Sequence, residues 1–311
     1  MSLILDKEHP VHSLLKSEGV RLHSEKEHSA EWMSPLSIGL VNLMPKKVET
    51  ETQLARLLGS SPFPVQLELI RLDGHKVKTT SSAYFERFYQ PFGSVRHRNF
   101  DGLIITGAPV EHMSFEDVSY WSELCGLMTW AKTNVLATMG ICWGAMALAY
   151  YHHGIPKYEL SEKAFGCYRH HKLSKSSPYL YGLSDDIVVP VSRWTEIRQR
   201  DIDGNPNLKT LLVGATGGPA IVEDATNGSL LIFNHLEYDW DTLKEEYERD
   251  TRAGTAIKAP TNYFPLDNPN LTPANTWRSN AQLLFWNWMG EMVRRKPVFN
   301  HWQAGVLQRA I

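Results

Sequence analysis

The 311-residue sequence predicts an α/β protein, a doubly wound, mainly parallel sheet flanked by helices. Three observations predict it. From Ser37 onward, apolar runs of strand length alternate with helical segments long enough to be crossovers. The runs are apolar nearly throughout, as in strands covered on both faces. Breaks rich in Gly and Pro, "NLMPKK", "TGAPVEH" and "MGICWG", fall where those strands end. In such sheets, sites form beyond the carboxyl ends of the strands, so the three breaks are expected to line one crevice.

Each element has its own signal. "SIGLVNLMP" from Ser37 is a first strand, ended by Pro45. "ETETQLARLLG" is a helix with Leu54, Leu57 and Leu58 on one face and Gly59 as its stop. "VQLELIRL" from Val65 and "FDGLIITGAP" are strands, the latter broken by Gly107 and Pro109. "SYWSELCGLMTWAKT" is helical, and "NVLATMG" is the next strand. Past residue 155 the pattern changes. "DIVVPVSRW" and "LKTLLVGA" read as strands, and "PAIVEDATNGSLLIFNH" as a hairpin turning at Asn227-Gly228. The helix "DTLKEEYERDTRAG", a Pro/Asn-rich loop over residues 259–275 and a helix from Ala274 to Arg295 follow. Trp277, Phe285, Trp286 and Trp288 suit that last helix to core packing or to a homodimer surface. Residues 1–34 read as a polar, irregular extension with a solvated loop at "HSEKEH", residues 35–296 as a single domain and 297–311 as a tail.

Composition excludes several functions. A net charge of −2 gives no field for nucleic acid or an anionic membrane. The acidic "KEEYERD" and basic "VRRK" read as solvated helix faces. The N-terminus has no positive n-region or cleavage segment, and no apolar run approaches ~18 residues. Cys125, Cys142 and Cys167 fit no disulfide or metal framework, so a reduced, cytoplasmic setting is expected. The histidines of "YHH", "RHH" and "EHM" lack metal-ligand spacing, "DIDGNP" lacks the calcium-loop pattern, and "GATGG" is a turn rather than a phosphate fingerprint. No metal or bound cofactor is expected.

Cys142 stands apart. Gly140-Ile-Cys142-Trp-Gly144, between a strand and a helix, is the cysteine form of the G-x-S-x-G elbow. Small flanking residues permit the tight turn. The helix N-terminus supplies free N–H groups that favour a thiolate and can hold an oxyanion. A cysteine nucleophile needs a base and the base an orienting group. "FNHLEYDW" offers both: on an extended backbone His235 and Glu237 point to one side. The carboxylate would fix the imidazole tautomer.

These features, with "GLVNLMPKKVETETQLARLLG", "FDGLIITGAPVEHMSFEDVSYW", "GICWGAMALAYYHHGIPKY", "KAFGCYRH" and "FNHLEYDWDTLKEEYERD", resemble the homoserine O-acyltransferase family of methionine biosynthesis, on a class I glutamine amidotransferase-like fold. The resemblance runs from Ser2 to Lys296. It implies that Cys142 attacks an acyl-CoA thioester, that His235 moves the protons and that Glu237 orients His235. It implies backbone oxyanion donors at Lys47 and Trp143, a carboxylate clamp at Arg249, and further substrate contacts at Lys163, Ser192 and, more weakly, Arg193. L-Homoserine and acyl-CoA would be the substrates, with ping-pong kinetics.

The resemblance also points to the acyl group. Members with Gly at the position of Glu111 look like succinyltransferases, and those with Glu like acetyltransferases. The physics agrees. At an effective dielectric of ~20, two like charges ~4 Å apart cost about 4 kcal/mol before screening. Acetyl-CoA is therefore the expected donor, with succinyl-CoA the nearest alternative. A glutamine amidotransferase subunit is more distant, since no synthetase domain is attached. A catalytically dead binding protein is disfavoured by the intact Cys142, His235 and Glu237.

Overall fold

The apolar runs become strands and the amphipathic segments become crossover helices. The computed structural model describes residues 3–23, 34–75, 80–214, 218–226 and 228–296. In chain order its strands are β1 (Leu3–Ile4), β2 (Leu22–His23), β3 (Leu36–Val41), β4 (Val65–Arg71), β5 (Tyr89–Pro91), β6 (Phe100–Ile105), β7 (Val135–Ile141), β8 (Tyr158–Lys172), β9 (Ile187–Glu196), β10 (Leu208–Gly214), β11 (Pro219–Asp224) and β12 (Ser229–Ile232). The helices are α1 (Val11–Ser17), α2 (Lys47–Gly59), α3 (Ser82–Phe88), α4 (Phe92–Val95), α5 (Trp121–Asn134), α6 (Trp143–His153), α7 (Gln199–Asp203), α8 (Thr242–Arg252) and α9 (Arg278–Arg295).

Among the described residues the strands form one sheet, in the order β2-β1-β4-β3-β6-β7-β12-β11-β10-β8-β9, with β5 also on β4. From β4 through β12 every neighbour is parallel. Beyond β12 the sheet turns antiparallel through β11, β10, β8 and β9. The expected parallel α/β core is borne out, with an antiparallel wing attached. The chain winds one way from β3 to β4 and the other way from β6 to β7. The order reverses between β3 and β6, where open α/β sheets form their crevice.

Both faces are covered. Leu36, Ile38 and Leu40 of β3 pack with Leu54, Leu57 and Leu58 of α2 and with Leu284, Phe285 and Trp288 of α9. Leu103 and Ile105 of β6 pack on the other face with Leu124, Leu127 and Met128 of α5 and with α6. Trp277, Phe285 and Trp288 are buried in the core.

Four readings change. Residues 3–23 are not irregular: β1 pairs with β2 and β4, and α1 lies between β1 and β2. Burial of Leu3, Val11 and Leu15 explains the order. β8 is a strand that the sequence pattern does not announce. The last helix starts at Arg278, after the buried Trp277. The helix faces "KEEYERD" and "VRRK" are only partly solvated: Arg295 donates to the carbonyls of Leu136 and Gly228 and to the Tyr179 hydroxyl, and α8 enters the site described below. The hairpin forms between β11 and β12. Its Asn227, most of "HSEKEH", residues 215–217 of "GATGG" and the tail 297–311 lie outside the described residues. Among the described residues, no helix is long and apolar enough to cross a membrane.

Trp288 is fully buried between α9 and the sheet. Trp288→Ala is expected to cost about 3–5 kcal/mol, read as a lowered urea midpoint with little change in slope.

Candidate active site

β7 ends at Ile141 and α6 begins at Trp143, so Cys142 alone makes the turn. It does so at φ 51°, ψ −118°, a conformation that costs an L residue on the order of 1–3 kcal/mol. Close approach explains the flanking glycines. A Cβ on Gly144 would lie 2.4 Å from the Ile105 carbonyl, and one on Gly140 2.7 Å from Ala145 Cα. The Cys142 N–H donates to the Ile232 carbonyl at 2.7 Å, tying the turn to β12. The Cys142 carbonyl accepts from Ala145 and Met146. Trp143 is the first residue of α6, and its N–H has no carbonyl of its own helix to bond.

The other two strand breaks meet this turn. A Cβ on Gly107 would lie 3.3 Å from Cys142 Cβ and 3.6 Å from Met44 Sδ. Met44, Pro45, Gly107, Ala108, Pro109 and Cys142 line one crevice of 390 Å³, as expected. Lys47 is the first residue of α2, so its N–H is free of its own helix in the same way. Its side chain is buried and donates to the Asn42 carbonyl. The Asn42 side chain in turn donates to the Lys47 carbonyl at 3.2 Å and accepts from the Met44 N–H at 3.1 Å. Burial pushes the Lys47 ammonium down to about 7, against the attraction of Glu51.

His235 does not stand on a strand end. β12 stops at Ile232, and His235 and Glu237 lie in the bend that follows. The His235 N–H donates to the Pro190 carbonyl at 2.9 Å. Its Nδ1 meets Glu237 Oε1 at 2.7 Å, and it lines the same crevice as Cys142. It stacks on Tyr238 with centroids 4.1 Å apart. Burial alone would lower the imidazolium's pKa; charge on Cys142 and Glu237 outweighs it and holds the group well above its ordinary value. The geometry suits a thiol whose proton passes to an oriented imidazole.

Lys163, Ser192 and Arg249 line the same crevice. They converge on two acidic residues of α8 that the sequence reading left on a solvated face. Glu246 accepts from the Ser192 hydroxyl, from Tyr238 at 2.8 Å and from Lys163 at 3.1 Å. Asp250 accepts from Lys163 at 3.3 Å and Arg249 at 2.7 Å. Burial favours the neutral form of Glu246. Lys163, the Ser192 hydroxyl and His235 outweigh it and leave the carboxyl below its ordinary range. Arg249 keeps an exposed guanidinium at the rim. Arg193 is half-buried and donates to the Thr195 carbonyl at 2.8 Å and, at 3.4 Å, to Asn234. Glu111 lines the crevice rather than facing open solvent. Burial raises its carboxyl's pKa, with His235 and Lys163 opposing.

Asn42 and Glu246 were missed. Asn42 follows its strand with no signal of its own. Glu246, Arg249 and Asp250 share one helical face, a spacing visible in the sequence, but their partners lie on β8 and β9.

The fold is that of the class I glutamine amidotransferases. A glutamine amidotransferase of Thermotoga maritima matches 85% of this chain and 98% of its own, with TM-score 0.53 and 12% identity. One from Methylobacillus flagellatus matches 84% and 95%, with TM-score 0.52 and 12% identity. The family model described as homoserine O-succinyltransferase matches residues 2–298. A homoserine O-acetyltransferase of Dinoroseobacter shibae is 54% identical over 91% of this chain and 93% of its own. One of Cereibacter sphaeroides is 50% identical over 96% and 97%. The chain belongs to the homoserine O-acyltransferase family.

Glu237 is one of the charges that hold the His235 proton. In Glu237→Gln the His235 imidazole should titrate at lower pH by NMR, and turnover should fall by about 10²-fold or more. An unchanged titration would show that the contact does not tune the imidazole.

Proposed function

We propose that this protein is a homoserine O-acetyltransferase that works through a cysteine acyl-enzyme. The observation that supports the mechanism is the placement of Cys142 and His235 in one crevice, with the His235 imidazole bonded to Glu237 at 2.7 Å. His235 takes the thiol proton as Cys142 sulfur attacks the acetyl-CoA carbonyl. A C–S bond forms and the carbonyl becomes an oxyanion. The backbone N–H groups of Trp143 and Lys47, each opening a helix, receive it. The C–S bond to CoA breaks as His235 returns the proton to the leaving thiolate. Thioester exchange is nearly isoenergetic, which suits a cysteine better than a serine. The L-homoserine hydroxyl then gives its proton to His235 and attacks the acyl-enzyme. O-acetyl-L-homoserine leaves and Cys142 is regenerated.

The amino-acid end of the acceptor carries both charges. Arg249 is the proposed clamp for its carboxylate, since a guanidinium bonds a carboxylate bidentately. Lys163 and Ser192 hold Glu246 in an ionised state beside it. Arg193, already engaged by Thr195 and Asn234, acts from behind the wall. We read the setting as cytoplasmic, with no metal or bound cofactor required by the chemistry.

Glu111 supports acetyl over succinyl. It lines the crevice with Cys142 and fills space that a glycine would leave open. A succinyl carboxylate brought beside it would force one of the two groups to take a proton or bear the repulsion. The curated relatives carry the acetyl name, whereas the family model carries the succinyl one.

Steady-state comparison of the two CoA thioesters decides between them. Wild type should favour acetyl-CoA in kcat/KM by at least about tenfold, and Glu111→Gly should reverse or erase that preference. A wild-type preference for succinyl-CoA would overturn the acetyl assignment and leave the acyl-enzyme mechanism standing.

A further inference from the structure

Glu111 can select an acyl group only if its side chain stays where the acyl group arrives. It stands in an irregular loop between β6 and a short helical turn at Phe115–Asp117. The loop's backbone bonds are local: the Val110 N–H donates to Ala108 at 2.9 Å and the Met113 N–H to Val110 at 3.0 Å. Its exposed His112 side chain meets Glu159 at 3.4 Å and the Trp194 ring at 5.7 Å, and neither contact holds the backbone of Glu111. The carbonyl of Glu111 itself has a distant partner, the ammonium of Lys157. Lys157 lies just before β8, 46 residues on in the chain.

The ammonium is also seated on a rigid platform. It lies 5.5 Å from the Phe115 ring centroid. Phe115 stacks on Tyr150 of α6 at 4.5 Å and packs against Trp143 at 5.6 Å. Trp143 is the residue after Cys142. One side chain thus joins the backbone of Glu111 to the helix that starts at the nucleophile. Lys157 is partly buried, and burial lowers its pKa against the attraction of Glu159 and Glu111. A charge-assisted bond in such a place is worth more than one at an open surface.

We propose that Lys157 is a positioning residue for acyl selectivity, fixing the Glu111 carbonyl so that the Glu111 side chain is held over the acyl site. The inference rests on the reading that Glu111 favours acetyl over succinyl. Lys157 touches no reacting atom in this account. Without its bond, the loop can carry Glu111 outward, where water and salt screen its charge from a succinyl carboxylate. Acetyl is small and uncharged, so its turnover has little to lose.

The test is the ratio of kcat/KM for acetyl-CoA to that for succinyl-CoA. Lys157→Met keeps the chain length and the contact with Phe115 but removes the donor. The ratio should fall about tenfold, the size expected for one charge-assisted hydrogen bond, while acetyl turnover stays within about threefold. Lys157→Arg, which keeps charge and N–H donors, should restore the ratio. In a Glu111→Gly background, Lys157→Met should leave the ratio unchanged. Should Lys157→Met not fold, Lys157→Gln reads the same ratio. If wild type prefers acetyl-CoA and Glu111→Gly reverses it, yet neither Lys157 variant moves the ratio, this inference is overturned and the function above stands. A change of equal size with and without Glu111 would overturn it too, since Lys157 would then act through another group. A wild-type preference for succinyl-CoA removes the reading beneath it.

Discussion

The turn at Cys142 is the constraint on which the site depends. A residue with a side chain is held at positive φ, against its own preference, because both sides of the turn leave it no alternative. The Gly144 backbone presses on the Ile105 carbonyl, and Gly140 presses on Ala145. The Cys142 N–H is claimed by Ile232. That last bond matters beyond the turn. It fixes the end of β12 against the end of β7, and the bend after β12 carries His235 and Glu237. The strain at one residue therefore sets Cys142, His235 and Glu237, the proposed nucleophile, base and orienting carboxylate, in one frame, and the packing of α6 on β6 holds it there.

Charge is distributed around this frame in separate compartments. Beneath the start of α2, Asn42 and the Lys47 side chain bond across the turn that brings Met44 and Pro45 to the crevice. Across the crevice, Glu246 gathers Lys163, Ser192 and Tyr238, and Tyr238 stacks on His235. The acidic residues of α8 are thereby coupled to the imidazole through one ring. An unpaired carboxylate at this partly buried place would be costly, and its three donors explain why it is tolerated.

Much of this was legible in the sequence, and the parts that were not share a cause. The elbow could be read because the glycines that permit it sit two residues either side of Cys142. The His-x-Glu pair could be read because its partners are neighbours in the chain, although the backbone there bends where a strand end was expected. The strands β3, β4, β6 and β7 announced themselves as apolar runs. β8 did not, because "YELSEKAFGCYRHHK" alternates irregularly and its partner β9 lies beyond a loop. The two residues of β1 are a strand only because β4 pairs with them. Glu246 looked like one more acid on a charged helix. Its role follows from residues 54 and 83 positions away, a distance that local patterning does not reach.

The central claim is that Cys142 carries the acyl group between donor and acceptor. Intact mass after brief incubation with acetyl-CoA, without homoserine, tests it most directly. The account predicts a gain of one acetyl group in the wild-type protein, none in Cys142→Ala, and its discharge on adding L-homoserine. An unmodified wild-type protein that nonetheless turns over both substrates would contradict it, because transfer would then pass directly from CoA to homoserine.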